Sequence, residues 1–140
     1  MSLIVYIPGE DRNGERLQRM IEYLNWGEPI EIFYTLKRLV YRLRHPTGKE
    51  DIALLLASTS KDLNELVLNS HLLSSLRIIL ILPDNNEKNI SKGHLLRPRF
   101  VTYSDEDFSD IALVLNKMKK KAFPKISMSF GERAFKRDIL

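Results

Sequence analysis

Three groups of residues in this chain have types and spacings that invite chemistry. Glu10 and Asp11 are adjacent carboxylates in the loop Pro8-Gly9-Glu10-Asp11-Arg12-Asn13-Gly14, the kind of oxygen donors a hard cation takes. Ser58-Thr59-Ser60-Lys61 places three hydroxyls ahead of a helical pattern, where side-chain and amide groups can receive an anion or simply cap the helix. Lys37, Arg38, Arg42 and Arg44 interleave with Tyr34 and Tyr41, a mixture that suits nucleic acid and equally suits a solvated helix face. The plain reading of each group is structural: a solvated loop, a cap and a wet helix face. His45, His71 and His94 fall on different segments without metal-ligand spacing. No Walker loop, GxGxxG turn or nucleophile elbow occurs, so no catalytic residue, metal site or cofactor is assigned.

Composition narrows the classes further. The 140 residues suffice for one domain with its own core. The chain has no cysteine, which removes disulfides, thiolate metal sites and thiol nucleophiles. The start, Met1-Ser2-Leu3-Ile4-Val5-Tyr6-Ile7-Pro8, has no basic leader, and no stretch approaches the ~20 apolar residues of a span. The expectation is a cytoplasmic protein without membrane contact. Net charge is +4, but residues 117–140 alone carry +6 and the preceding 116 carry −2. The basicity belongs to the C-terminus, which suggests a tail with its own partner.

The elements that must position these residues follow in order. Leu3 to Ile7 is a first buried strand, and Asn13 a candidate N-cap for a helix facing inward through Leu17, Met20, Ile21 and Leu24. Gly27 is its candidate terminator. Ile30 to Tyr34 reads as a strand nearer a sheet edge. Thr35 caps a helix with Leu36, Leu39, Val40 and Leu43 on one face. Asp51 to Ala57 is a continuous apolar run, the mark of a strand covered on both sides. Thr59-Ser60-Lys61-Asp62 resembles a capping box opening a helix through Leu63, Leu66, Val67 and on to Leu73. Leu76 to Leu82 is the strongest strand signal, whereas 84–96 reads as a loop or a poorly formed helix. Arg99 to Tyr103 is a fifth strand, and Ser104-Asp105-Glu106-Asp107 a second box-like start for a helix with Phe108, Ile111, Ala112, Leu115 and Met118. Five βα repeats predict an α/β, three-layer, doubly wound parallel sheet in the order 2-1-3-4-5. That domain spans 1–121. Residues 122–140 form a basic arm in which Ile126, Met128 and Phe130 alternate with polar residues, as an added strand would.

This pattern resembles the receiver domains of response regulators. Asp51-Ile52-Ala53-Leu54-Leu55-Leu56-Ala57-Ser58 looks like the family's apolar third strand, and residues 100–121 look like its closing strand and helix. The family's reactive residues are missing or displaced. Leu56, Ala57 and Ser58 stand where it has a phosphate-accepting Asp. Pro8-Gly9 intervenes before Glu10 and Asp11, where its acidic pair holds Mg²⁺. Leu82-Pro83 replaces its Ser or Thr, and Tyr103-Ser104 its Lys-Pro. Acyl-phosphate chemistry needs a carboxylate nucleophile, a hard cation and a positive group together. The resemblance therefore implies a non-catalytic, receiver-like signalling or regulatory module with a protein partner, self-associating as a homodimer. Its interaction surface would be Phe108, Lys117, Lys119, Lys120, Lys121, Ile126, Met128 and Phe130. One rival is nucleic-acid binding by the basic C-terminus and the 37–44 face. Another is a small-ligand or anion site at the β1/β3 crevice built from Glu10, Asp11, Ser58, Thr59 and Ser60.

Overall fold

The computed structural model describes residues 1–9, 11–48 and 50–122. Met1–Ser109 is one compact unit and Asp110–Leu140 a second, and each is described by itself. The first unit runs β1 (Leu3–Tyr6), α1 (Arg12–Tyr23), β2 (Ile30–Phe33), α2 (Leu36–Leu43), β3 (Ile52–Leu56), α3 (Ser60–Leu68), α4 (Ser70–Leu73), β4 (Arg77–Leu82), α5 (Glu87–His94) and β5 (Phe100–Tyr103). The second unit contributes α6 (Ser109–Ala122).

All five strands are parallel and lie in the order β2-β1-β3-β4-β5, the topology of a flavodoxin-like sheet. The sequence dictates which strands lie inside. β3 is apolar at every position and every one of its residues is fully buried. β2 alternates, and all four of its residues are only half-buried at the sheet edge. Because strand side chains alternate, Ile4, Tyr6, Ala53, Leu55, Ile78, Leu80 and Leu82 join Leu39, Leu43, Leu63, Leu66, Leu73 and Leu96 in one core under α2–α5. Leu3, Val5, Ile7, Ile52, Leu54, Leu56, Ile79 and Ile81 make the opposite face, where α1 lies. Helix approach is close enough to specify glycine twice. A Cβ on Gly14 of α1 would stand 2.7 Å from Ile7 Cγ2, and one on Gly93 of α5 would stand 3.0 Å from methyls of Leu80 and Leu82.

Several local expectations need correction. Asp11, not Asn13, is the N-cap of α1 and accepts from Gly14 N at 2.9 Å. α1 ends at Tyr23 with Leu24 as C-cap, three residues before Gly27. The helix drawn through Leu73 breaks at Asn69 into α3 and α4, where the Asn69 amide bonds back to the Glu65 carbonyl. Residues 84–96 contain a formed two-turn helix, α5, because Asn86 caps it and Asn89 and Gly93 let it sit tight on β4. Ser104 opens no helix. Its hydroxyl donates to the Pro83 carbonyl at 3.0 Å, and α6 starts only after Asp107 accepts from Ser109 N.

The capping box at Thr59 and Asp62 is present in full, as is the Thr35 cap of α2. One residue stands outside these rules: Arg97 adopts φ 53°, the left-handed region that a side chain enters at a cost of about 1–2 kcal/mol. In α6, Ile111, Leu115 and Met118 recur on one side and are buried, while Lys117 and Lys120 are exposed. No described helix is long and apolar enough to cross a membrane.

Candidate functional site

In open parallel sheets, ligands meet the carboxyl ends of the strands, so that end is built first. Its loops are tied internally. Asp11 follows β1 and holds the first turn of α1. Thr59 follows β3 and exchanges hydrogen bonds with Asp62 at 3.1 Å in each direction. Ser60 donates to Asn89 Oδ1 at 3.1 Å, and the Asn89 amide donates to Asp84 Oδ1 at 2.9 Å. Asn89 is buried at 4 % exposure, so this chain joins the ends of β3 and β4. Asp84 also accepts from Asn86 N, and these donors, Asn89 first, hold its carboxyl below the usual range. Ser58 is half-buried, and its hydroxyl oxygen is shielded from solvent with no hydrogen-bond partner.

The loop after β5 is fixed from an unexpected direction. Arg16 of α1 donates to the carbonyls of Ser104 (2.7 Å) and Glu106 and to Asn13 Oδ1 (3.2 Å). Its guanidinium also lies 4.2 Å from the centre of the Phe108 ring, a cation–π distance. Phe108 is buried at 4 % exposure, which takes it off the surface. Carboxylates dominate this end of the sheet. Burial, aided by Asp62 and Glu65, pushes the Tyr6 phenol up to about 12.

Of the residues expected to share the β1/β3 crevice, Asp11 follows β1 and Ser58, Thr59 and Ser60 follow the adjacent β3. Asp11 lines a cleft of about 500 Å³ with Ile7, Gly9, Gly14, Glu15, Gln18, Tyr34 and Thr35, on the β2 side of β1. Ser58, Thr59 and Ser60 are not among its walls. Glu10 lies outside the described residues. With Asp11 and Glu15 in its walls the cleft is hostile to anions, and no cluster of three or more metal-ligating side chains occurs among the described residues.

The basic face of α2 is real but smaller than its sequence. Lys37, Arg38 and Arg44 are exposed, with Tyr41 at 69 %. Arg42 instead makes a two-pronged pair with Glu31 at 2.8 and 3.2 Å, which raises its pKa. Of the expected interaction surface, Lys117 and Lys120 are exposed and Lys119 is half-buried on α6. Lys121 is placed only as part of α6, and Ile126, Met128 and Phe130 lie outside the described residues.

Sequence reasoning overlooked Arg16 and Asn89, whose partners lie 88 and 29 residues away, as no local spacing reveals such pairs. Compared with known protein families, with curated proteins and with solved structures, the chain matches none.

Proposed function

We propose that this chain is a catalytically silent, receiver-like module that works through protein–protein contact and self-associates. The observation that carries the reading is what stands after each strand of the parallel sheet. β3 is followed by Ala57 and Ser58, β4 by Pro83, and β5 by Ser104 bonded to Pro83. An acyl-phosphate site needs a carboxylate at the first position and a cation at the last. Here the first position holds Ala57 and Ser58, and the last holds Ser104, whose hydroxyl is spent on the Pro83 carbonyl. A module of this kind transmits through its surface, and the lysines of α6 with the arm after Pro124 supply the surface. We expect light scattering to give a dimer for the full chain and a monomer for a chain ending at Ala122. We also expect no covalent phosphoryl gain after incubation with acetyl phosphate and Mg²⁺. A monomeric full chain would remove the self-association, and a phosphorylated carboxylate would remove the silence.

A second reading draws on the exposed Lys37, Arg38, Arg44 and Tyr41: contact with nucleic acid, helped by the basic C-terminus. Its signature is affinity that falls steeply with added salt. Reversal of charge at Lys37 and Arg38 would then weaken binding to every sequence alike.

A further inference from the structure

The end of the sheet opposite the usual ligand crevice holds a second cleft with the reverse chemistry. It has a volume of about 360 Å³ and is lined by Ser70, His71 and Ser74 of the α4 region, Leu76 before β4, and Leu95, Leu96 and Arg97 after α5. No carboxylate lines it. The Arg97 guanidinium makes no hydrogen bond or ion pair with any described residue. The Ser74 hydroxyl is held at the rim by the His71 carbonyl at 3.2 Å. Leu95 stays 63 % exposed beside it, an apolar surface left open rather than folded inward.

The backbone adds an independent observation. Helix α5 closes by tight turns, with Leu95 N to Lys92 O, Leu96 N to Gly93 O and Arg97 N to His94 O at 3.0–3.1 Å, and the chain then reverses at a left-handed residue. That place ordinarily belongs to glycine, and the following Pro98 restricts the backbone further. A cation near a helix C-terminus is favourable in any conformation, so the dipole accounts for a positive charge but not for an arginine in the strained place. Strain of this sort is tolerated where the side chain it carries is used.

We infer that this cleft binds a small phosphate monoester, with Arg97, His71 and the Ser70 hydroxyl on the phosphate and Leu76, Leu95 and Leu96 against its apolar group. Arginine suits this role because its planar fork meets two phosphate oxygens at once. The site uses none of the residues of the proposed interaction surface and stands or falls independently of it.

The test titrates phenyl phosphate, inorganic phosphate and phenol into the ¹⁵N-labelled full chain, followed by amide chemical shifts. Phenyl phosphate is expected to bind most tightly and to move residues 70–76 and 94–97. Inorganic phosphate should move the same amides more weakly, and phenol should leave them unmoved. Arg97→Gly should weaken phenyl phosphate roughly tenfold, the loss of one charge-assisted contact, while raising the melting temperature by about 2–4 °C as the backbone strain is relieved. Arg97→Lys should retain part of the affinity. Shifts scattered elsewhere, equal binding of phenol, undiminished binding by Arg97→Gly, or a lower melting temperature in that variant would each overturn the proposal.

Discussion

The clefts at the two ends of the sheet are lined by opposite charge, Asp11 and Glu15 at one and Arg97 at the other, and the ends are held by different means. At the carboxyl end, Asp11, Glu15, Asp62, Asp84, Asp105 and Glu106 crowd the loops, which are held by short-range caps, by the Ser60–Asn89–Asp84 chain and by Arg16 on the loop after β5. At the amino end, Arg77, Arg97, Arg99 and His71 gather, and a buried carboxylate holds the loops. Asp51 is that carboxylate: buried at 8 % exposure, it accepts from Ser2 N and Gly48 N, both at 2.8 Å, joining the starts of β1 and β3. Arg77 bonds the Glu50 carbonyl, and burial and then the neighbouring Arg99 depress its pKa. Caps are local and replaceable, whereas a buried carboxylate bridging two strands is neither. The difference teaches that the end conventionally left open for ligands is the one this chain has tied down. Arg97, whose guanidinium pairs with no described residue, lies at the other end.

The largest effect should come from breaking the amino end. Asp51→Ala removes a buried carboxylate that accepts from the Ser2 and Gly48 amides, and we expect a loss of about 2–3 kcal/mol in urea unfolding. At the carboxyl end, Asp11→Ala should cost only about 1 kcal/mol, the usual value of an N-cap. Asn13→Ala should stay within about 0.5 kcal/mol in the same assay. Equal losses at Asp51 and Asp11 would erase the contrast between the ends. A larger loss at Asn13 than at Asp11 would return the cap to the place its sequence first suggested.

The smallest effect is invisible at neutral pH. The Tyr6 phenol is raised from 10.0 to about 12, by burial first and by Asp62 and Glu65 next. Folding therefore favours its neutral form, so the associated stability is complete below pH 10 and disappears as pH rises from 10 toward 12. Of the five tyrosines, one should ionise last in an ultraviolet titration, and Tyr6→Phe should both delete that step and flatten the alkaline loss of stability. Ionisation of all five together would show that burial, with Asp62 and Glu65 beside it, does not hold the Tyr6 phenol neutral.

How much was legible beforehand differs by element. The apolar run through β3 and β4 and the alternating β2 predicted which strands are central and which lies at an edge, because burial on two faces or one writes itself into composition. The Thr59 box was equally plain, since both partners sit three residues apart. α5 was not: its Asn, Ser, Gly and His have poor helix propensity, and the helix stands because Gly93 fits between Leu80 and Leu82. The strand order sets β1 beside β3, but the direction each loop takes afterwards depends on which amide groups its side chains cap.

The amino-acid sequence by itself determined the repeating βα order, the sheet topology that follows from it and the absence of thiol chemistry. Those are consequences of period and composition along the chain. Tertiary structure alone decided that Arg16 crosses to the loop after β5, that Phe108 is buried beneath it, and that Ser60 reaches Asn89. It also decided that His71 and Arg97 line one cleft. These pairings join residues far apart in sequence, and only the geometry of the assembled sheet sets the distances at which charge and hydrogen bonding act.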